Sequence, residues 1–282
     1  MLKKAIVLMV LSAFAFALLN VFVKKLTQFN VYQIVFFRSI GSLIFTIPFI
    51  LQHKISILGN KKLFLMARGL VGFVAMTLFF MSLKHLSMGP AVSIRYISPI
   101  FAAFFALLLL KEKIKYFQWV CFAIALSGVF ILKGFDSEVN GVGLLYAILS
   151  SLFTGLVFII IRKIGHHDHP IVVVNYFMII AAILGGVFAI PQWVNPIGFE
   201  WFALLILGVF GYFGQYYMTK AFQLGEVNQI APLKYIEVIF TMLIGVIWLG
   251  ELYSFISLLG VSLILLGLIL NFIIKRKNKI EK

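Results

Sequence analysis

Five charged side chains sit inside long apolar stretches of this 282-residue chain: Arg38, Arg68, Arg95, Lys234 and Glu237. A charge at the centre of a membrane helix costs about 2.5–3.5 kcal/mol on the insertion scale, so such residues serve ligands, ions or internal pairing. Arg95 stands four residues before Pro99. A proline ring cannot bond to the carbonyl four residues back and clashes with it. The helix is therefore predicted to bend at Arg95–Tyr96, with Pro99 as the structural kink. The bend leaves a free acceptor beside a cation and a phenol. Irregular backbone at membrane depth is tolerated only where protein or a wet cavity covers it. Glu237 is the one deep carboxylate, one turn from Lys234 and on the same helix face as Thr241. Two readings stand side by side: a Lys–Glu pair that only cancels charge, or a contact for a substrate amine or a proton.

Arg38 shares a helix face with Ser42. Gln215, Tyr216 and Tyr217 follow a glycine series, Gly208, Gly211 and Gly214, that reads as a smooth packing face. The predicted substrate-binding set is Arg38, Arg95, Tyr96, Gln215, Tyr216, Lys234, Tyr235 and Glu237. Asn20, Asn175 and Tyr176 are lesser candidates. Arg68, close to Lys61 and Lys62, is expected to snorkel to the headgroups. Glu112 and Glu251 lie at helix ends and read as caps or partners of nearby basic residues. His166-His167-Asp168-His169 reads as a solvated loop, since adjacent histidines do not supply a defined coordination shell. No catalytic residue, metal site or cofactor is expected, and no phosphate-binding loop is found.

The elements that must position these residues are written twice. Ser82–Leu132 lies on Ala221–Asn271 with a shift of 139 residues and no gap. Arg95-Tyr96-Ile97 meets Lys234-Tyr235-Ile236, Glu112 meets Glu251, and Gly128 meets Gly267. A period of about half the chain is a two-fold duplication. The earlier parts, 5–80 and 144–219, match each other much less well, so symmetry there is expected to be loose.

Apolar residues make up 63% of the chain, charged residues 12%, and the mean hydropathy is +1.10. The apolar runs approach the roughly 20 residues a helix needs to cross a bilayer. The fold class is an all-α polytopic membrane protein with ten transmembrane helices. The expected spans are 5–23, 31–51, 64–83, 90–110, 116–132, 141–161, 170–191, 199–219, 231–249 and 254–274. The first is an uncleaved helix rather than a leader, because its apolar run continues to Val23. The net charge of +15 comes from short loops and the C-terminus, which excludes a nucleic-acid partner. With the N-terminus inside, sixteen of the 24 basic residues fall on the inner side and four in outer loops. That asymmetry puts both termini in the cytoplasm. Five spans per half is an odd number, so the two copies enter the membrane in opposite senses, as in secondary transporters.

A Leu-rich run plus Glu closes the fourth span of each half, in LLLLKEKIKYFQW and VIWLGELYSFISL. A Gly-bearing fifth span follows, in ALSGVFIL and ILLGLILN. With the five-plus-five duplication, the chain resembles the drug/metabolite transporter superfamily, EamA-type. The resemblance implies two inverted repeats, 1–135 and 141–274, with a cytoplasmic basic tail at 275–282. It also implies metabolite transport by alternating access across a cell membrane, that of a bacterial inner membrane. Interior cations outnumber the carboxylate, which points to an anionic or amphoteric substrate such as an amino acid or an S-adenosylmethionine-like compound. The alternative is a regulatory or assembly protein that keeps the transporter fold without transporting. Expected partners are a small-molecule substrate and the lipid bilayer. A coupling proton and a homodimer are left open.

Overall fold

The computed structural model describes residues 2–110, 116–135, 140–224 and 231–280. Glu112 and its loop, and residues 136–139 of the link between halves, lie outside them. The described residues form α1 (Leu2–Lys25), α2 (Val31–Gln52), α3 (Lys62–His85), α4 (Met88–Arg95), α5 (Ser98–Leu110) and α6 (Tyr116–Phe135). The second half holds α7 (Gly141–Ile164), α8 (Pro170–Ala189), α9 (Phe199–Leu224), a 3₁₀ turn (Ala231–Tyr235), α10 (Ile236–Leu249) and α11 (Phe255–Ile280). α4 and α5 are two halves of one pass, as are the 3₁₀ turn and α10. The described residues therefore make ten helical passes.

The 139-residue shift holds for the starts of three helices in each repeat. α1, α2 and α6 start at 2, 31 and 116, and their mates α7, α8 and α11 start at 141, 170 and 255. α1 and α2 thus keep backbone register with α7 and α8 although their side chains match poorly, while α3 and α9 start at 62 and 199, 137 residues apart. Packing obeys the same shift. α1 lies on α9 as α7 lies on α3; α2 meets α9 as α8 meets α3; α1 meets α10 as α7 meets α5. α2 packs on its own mate α8 and α6 on its mate α11, while α4 packs on α10 across the repeat boundary.

These mated helices run antiparallel. Thr46 near the end of α2 bonds Asn175 near the start of α8 at 3.0 Å, and Asn30 before α2 bonds the Gln192 carbonyl after α8 at 2.8 Å. In α6 and α11, a Cβ on Gly128 would lie 2.5 Å from the Gly260 carbonyl, and one on Gly267 2.6 Å from that of Cys121. The two contacts are each other's repeat mates, so backbone meets backbone twice around one pseudo-two-fold axis. Equivalent helices pointing opposite ways are inverted repeats.

Three expectations change. The fourth span is broken rather than bent. α4 stops at Arg95, Tyr96 and Ile97 turn, and Pro99 falls in the first turn of α5, where its missing N–H costs little. The last helix runs to Ile280, past the expected span end at 274. The 166–169 loop is not simply solvated. Asp168 is buried and accepts from the Asn60 and Lys61 amides, the latter at 3.0 Å, tying the loop before α3 to the loop before α8.

Candidate functional site

Each repeat interrupts its fourth pass at the same place, for a different reason. In the first, Pro99 follows the break. In the second, Pro232 lies in the 3₁₀ turn that ends at Tyr235. The breaks face each other, and Tyr96 packs edge-on against its own mate Tyr235, with ring centroids 5.4 Å apart. A residue touching its repeat mate lies beside the pseudo-two-fold axis. The axis therefore passes through the candidate site.

Glu237 opens α10 immediately after this break and is 1% exposed. Its Oε2 accepts from the Tyr96 hydroxyl at 2.6 Å and its Oε1 from Asn20 of α1 at 3.3 Å. Arg95 reaches Oε1 at 3.9 Å, at the outer edge of an ion pair. The Arg95 guanidinium also lies 4.2 Å from the Phe79 ring centre. Its side chain keeps 23% exposure, so Arg95 is the approachable partner and Glu237 the enclosed one. Lys234 turns its ammonium towards the Tyr96 ring at 5.9 Å. The hydroxyls of Ser93 and Thr241, close to Arg95 and Glu237 in sequence, are buried without partners among the described residues. An unsatisfied buried polar group costs about 1–3 kcal/mol.

A second region opens at the end of the bundle that carries the N-terminus. A cavity of about 420 Å³ lies between α2, α8 and α9. Ser42, Thr46, His53, His169, Gln215, Tyr216 and Lys220 give it its polar character. Tyr212 is sandwiched between Phe45 at 4.8 Å and Tyr216 at 5.8 Å, forming an aromatic ladder. Lys220 donates to the Tyr216 hydroxyl at 2.7 Å, and that bond holds its ammonium above the usual lysine range. None of the lining residues is acidic. Arg38 stands behind the wall: its Nε would be 3.4 Å from a Cβ on Gly211. Its guanidinium donates to the Met76 sulfur and lies over Phe80 at 5.8 Å. Phe79 and Phe80 of α3 thus carry Arg95 and Arg38, one each.

A family profile for EamA-like transporters matches residues 3–133 and 141–273, once per repeat. The chain belongs to the EamA-like transporter family. It is 27% identical over 273 residues to the pseudopaline exporter of Pseudomonas aeruginosa, covering 95% of this chain and 96% of that one. It is 26% identical over 219 residues to the S-adenosylmethionine uptake transporter of Rickettsia prowazekii, covering 76% and 73%. A solved crystal structure shares the fold at a TM-score of 0.65 and 20% identity, covering 97% of this chain. The EamA chain is a multi-pass membrane transporter of small molecules.

Within this EamA chain the predicted site residues fall into two groups. Arg95, Tyr96, Lys234, Tyr235 and Glu237 come together on the axis. Gln215 and Tyr216 line the cavity, with Arg38 behind it. The ion pair that Glu237 makes within 4 Å among the described residues is with Arg95 from the other repeat. Arg68 does not snorkel. It is buried on α3, 4.5 Å from the Phe177 ring of α8, because its helix face points inward at that depth. Lys220, Tyr212 and His53 are not among the predicted site residues, and His169 is read from the sequence as part of a solvated loop. Lys220, His53 and His169 stand near helix ends, where a basic or aromatic residue normally marks the membrane surface, and Tyr212 lies midway along α9 in an apolar run.

Proposed function

We propose that the chain is a secondary transporter that moves an amphoteric small metabolite by alternating access, with the Arg95–Glu237 contact as its central binding site. The carrying observation is a 3.9 Å ion pair between the repeats, at facing helix breaks beside the pseudo-two-fold axis. At 3.9 Å the pair is loose enough for a ligand to replace each partner. Arg95 and Lys234 suit a carboxylate, Glu237 suits an ammonium or sulfonium, and Tyr96 and Tyr235 offer aromatic edges. The buried hydroxyls of Ser93 and Thr241 supply donors that none of the described residues uses. The acid-free cavity at the N-terminal end suits the anionic part of such a molecule on its way in or out. One relative exports and another takes up, so direction follows from gradients rather than from the fold.

Counterflow into proteoliposomes with a pooled, labelled metabolite library tests this. Accumulation of amphoteric compounds, and competition among them, is the expected result. Uptake of none, or of neutral sugars only, contradicts it and favours a protein that keeps the fold without this transport.

A further inference from the structure

At the end of the bundle opposite the cavity, one carboxylate ties the two repeats together. Glu251, just after α10, takes the Met88 amide at the start of α4 on both oxygens, at 3.0 and 2.9 Å. Lys24, at the end of α1, pairs with it at 3.2 Å and also donates to the Leu86 carbonyl. Tyr253 donates to Glu251 at 2.5 Å. Burial and that bond hold the Tyr253 phenol far above the usual tyrosine range, so it remains a donor at any physiological pH. Two glycines leave the room: a Cβ on Gly245 would sit 2.7 Å from the Glu251 carboxylate, and one on Gly89 3.1 Å from the Tyr253 ring.

This cluster joins the outer ends of the two broken passes that carry Arg95 and Glu237. Lys24 and Met88 belong to one repeat, Glu251 and Tyr253 to the other. We propose that Lys24 and Glu251 form the gate that closes this end, and that their parting is a step of each transport cycle. The proposal rests on the alternating-access reading above. A static cap would need only the Met88 amide. A charge pair strung across the repeat boundary, above the central site and opposite an open cavity, is placed where the repeats must separate.

The test places one reporter cysteine at Ser93, with Cys121→Ala, and measures labelling by an impermeant thiol reagent applied from the gate side. Glu251→Gln and Lys24→Met should each speed labelling about tenfold, the population change expected from losing a charge-assisted bond. Unchanged labelling with a lowered melting temperature means a structural cap only and overturns the gate. If these variants fold poorly, the double variant Lys24→Cys with Glu251→Cys decides the matter. Cross-linking it with a short bifunctional thiol reagent should stop counterflow and leave a cysteine at Gln215 reactive from the other side. Undiminished counterflow after cross-linking overturns the gate as well. Absence of any counterflow in the wild type sinks the transport reading instead, and the labelling result still stands on its own.

Discussion

Glu237 takes hydrogen bonds from Tyr96 and Asn20 while Arg95 hangs 3.9 Å away with part of its surface free. That arrangement keeps the carboxylate fixed and lets the guanidinium move. Removing one member of a buried pair costs roughly 3–5 kcal/mol, but the partial exposure of Arg95 brings this towards the low end. Glu237→Gln keeps the shape and one acceptor oxygen for Asn20, and its amide nitrogen can donate to the Tyr96 oxygen in place of the bond that the carboxylate accepts, so it should fold. If Glu237 carries a coupling proton, the variant loses uptake driven by a pH gradient and keeps substrate exchange, read by comparing the two assays in one set of proteoliposomes. Loss of both, or of neither, removes the proton from the account. The charges here were legible in the sequence because a charge in an apolar run stands out. Their pairing was not: Lys234 is near Glu237 in sequence, while Arg95 is near it only through the repeat symmetry. Arg68 was misread for a related reason, since depth along a helix can be counted but the face it turns inward cannot.

At the scale of the element, the broken fourth pass of each repeat decides the geometry. One break was visible because Pro99 sits four residues after a charged residue. Its mate was not, because Pro232 stands at the start of the expected span 231–249, where a proline is ordinary. Pro99→Ala restores an amide that can bond the Arg95 carbonyl and join α4 to α5. Expression should be normal and transport about tenfold slower, as roughly 1.4 kcal/mol against the broken form would give. Wild-type transport rates would leave the break without a mechanistic part. The glycines of α6 and α11 have a different task. Gly128→Val places its side chain into the Gly260 backbone, and overpacking of this kind costs about 1–3 kcal/mol. A lower melting temperature in detergent, with counterflow per folded molecule unchanged, is the expected outcome.

The whole molecule is a duplication whose register was written in the sequence most clearly in its last two passes per half. The first two passes of each half keep the 139-residue register in backbone alone, because lipid-facing positions accept any apolar residue. The inversion follows from five passes per half and appears as antiparallel contacts between mated helices. Single cysteines at Lys133 and Lys279, with Cys121 replaced, should therefore label from opposite sides of the membrane, and labelling from one side would contradict the expected orientation. The central claim is that Arg95 and Glu237 bind the substrate rather than merely neutralise each other. The most direct measurement is counterflow by the Arg95→Gln, Glu237→Met double variant, normalised to folded protein. The account predicts a folded and inactive protein; recovery of the wild-type rate would contradict it.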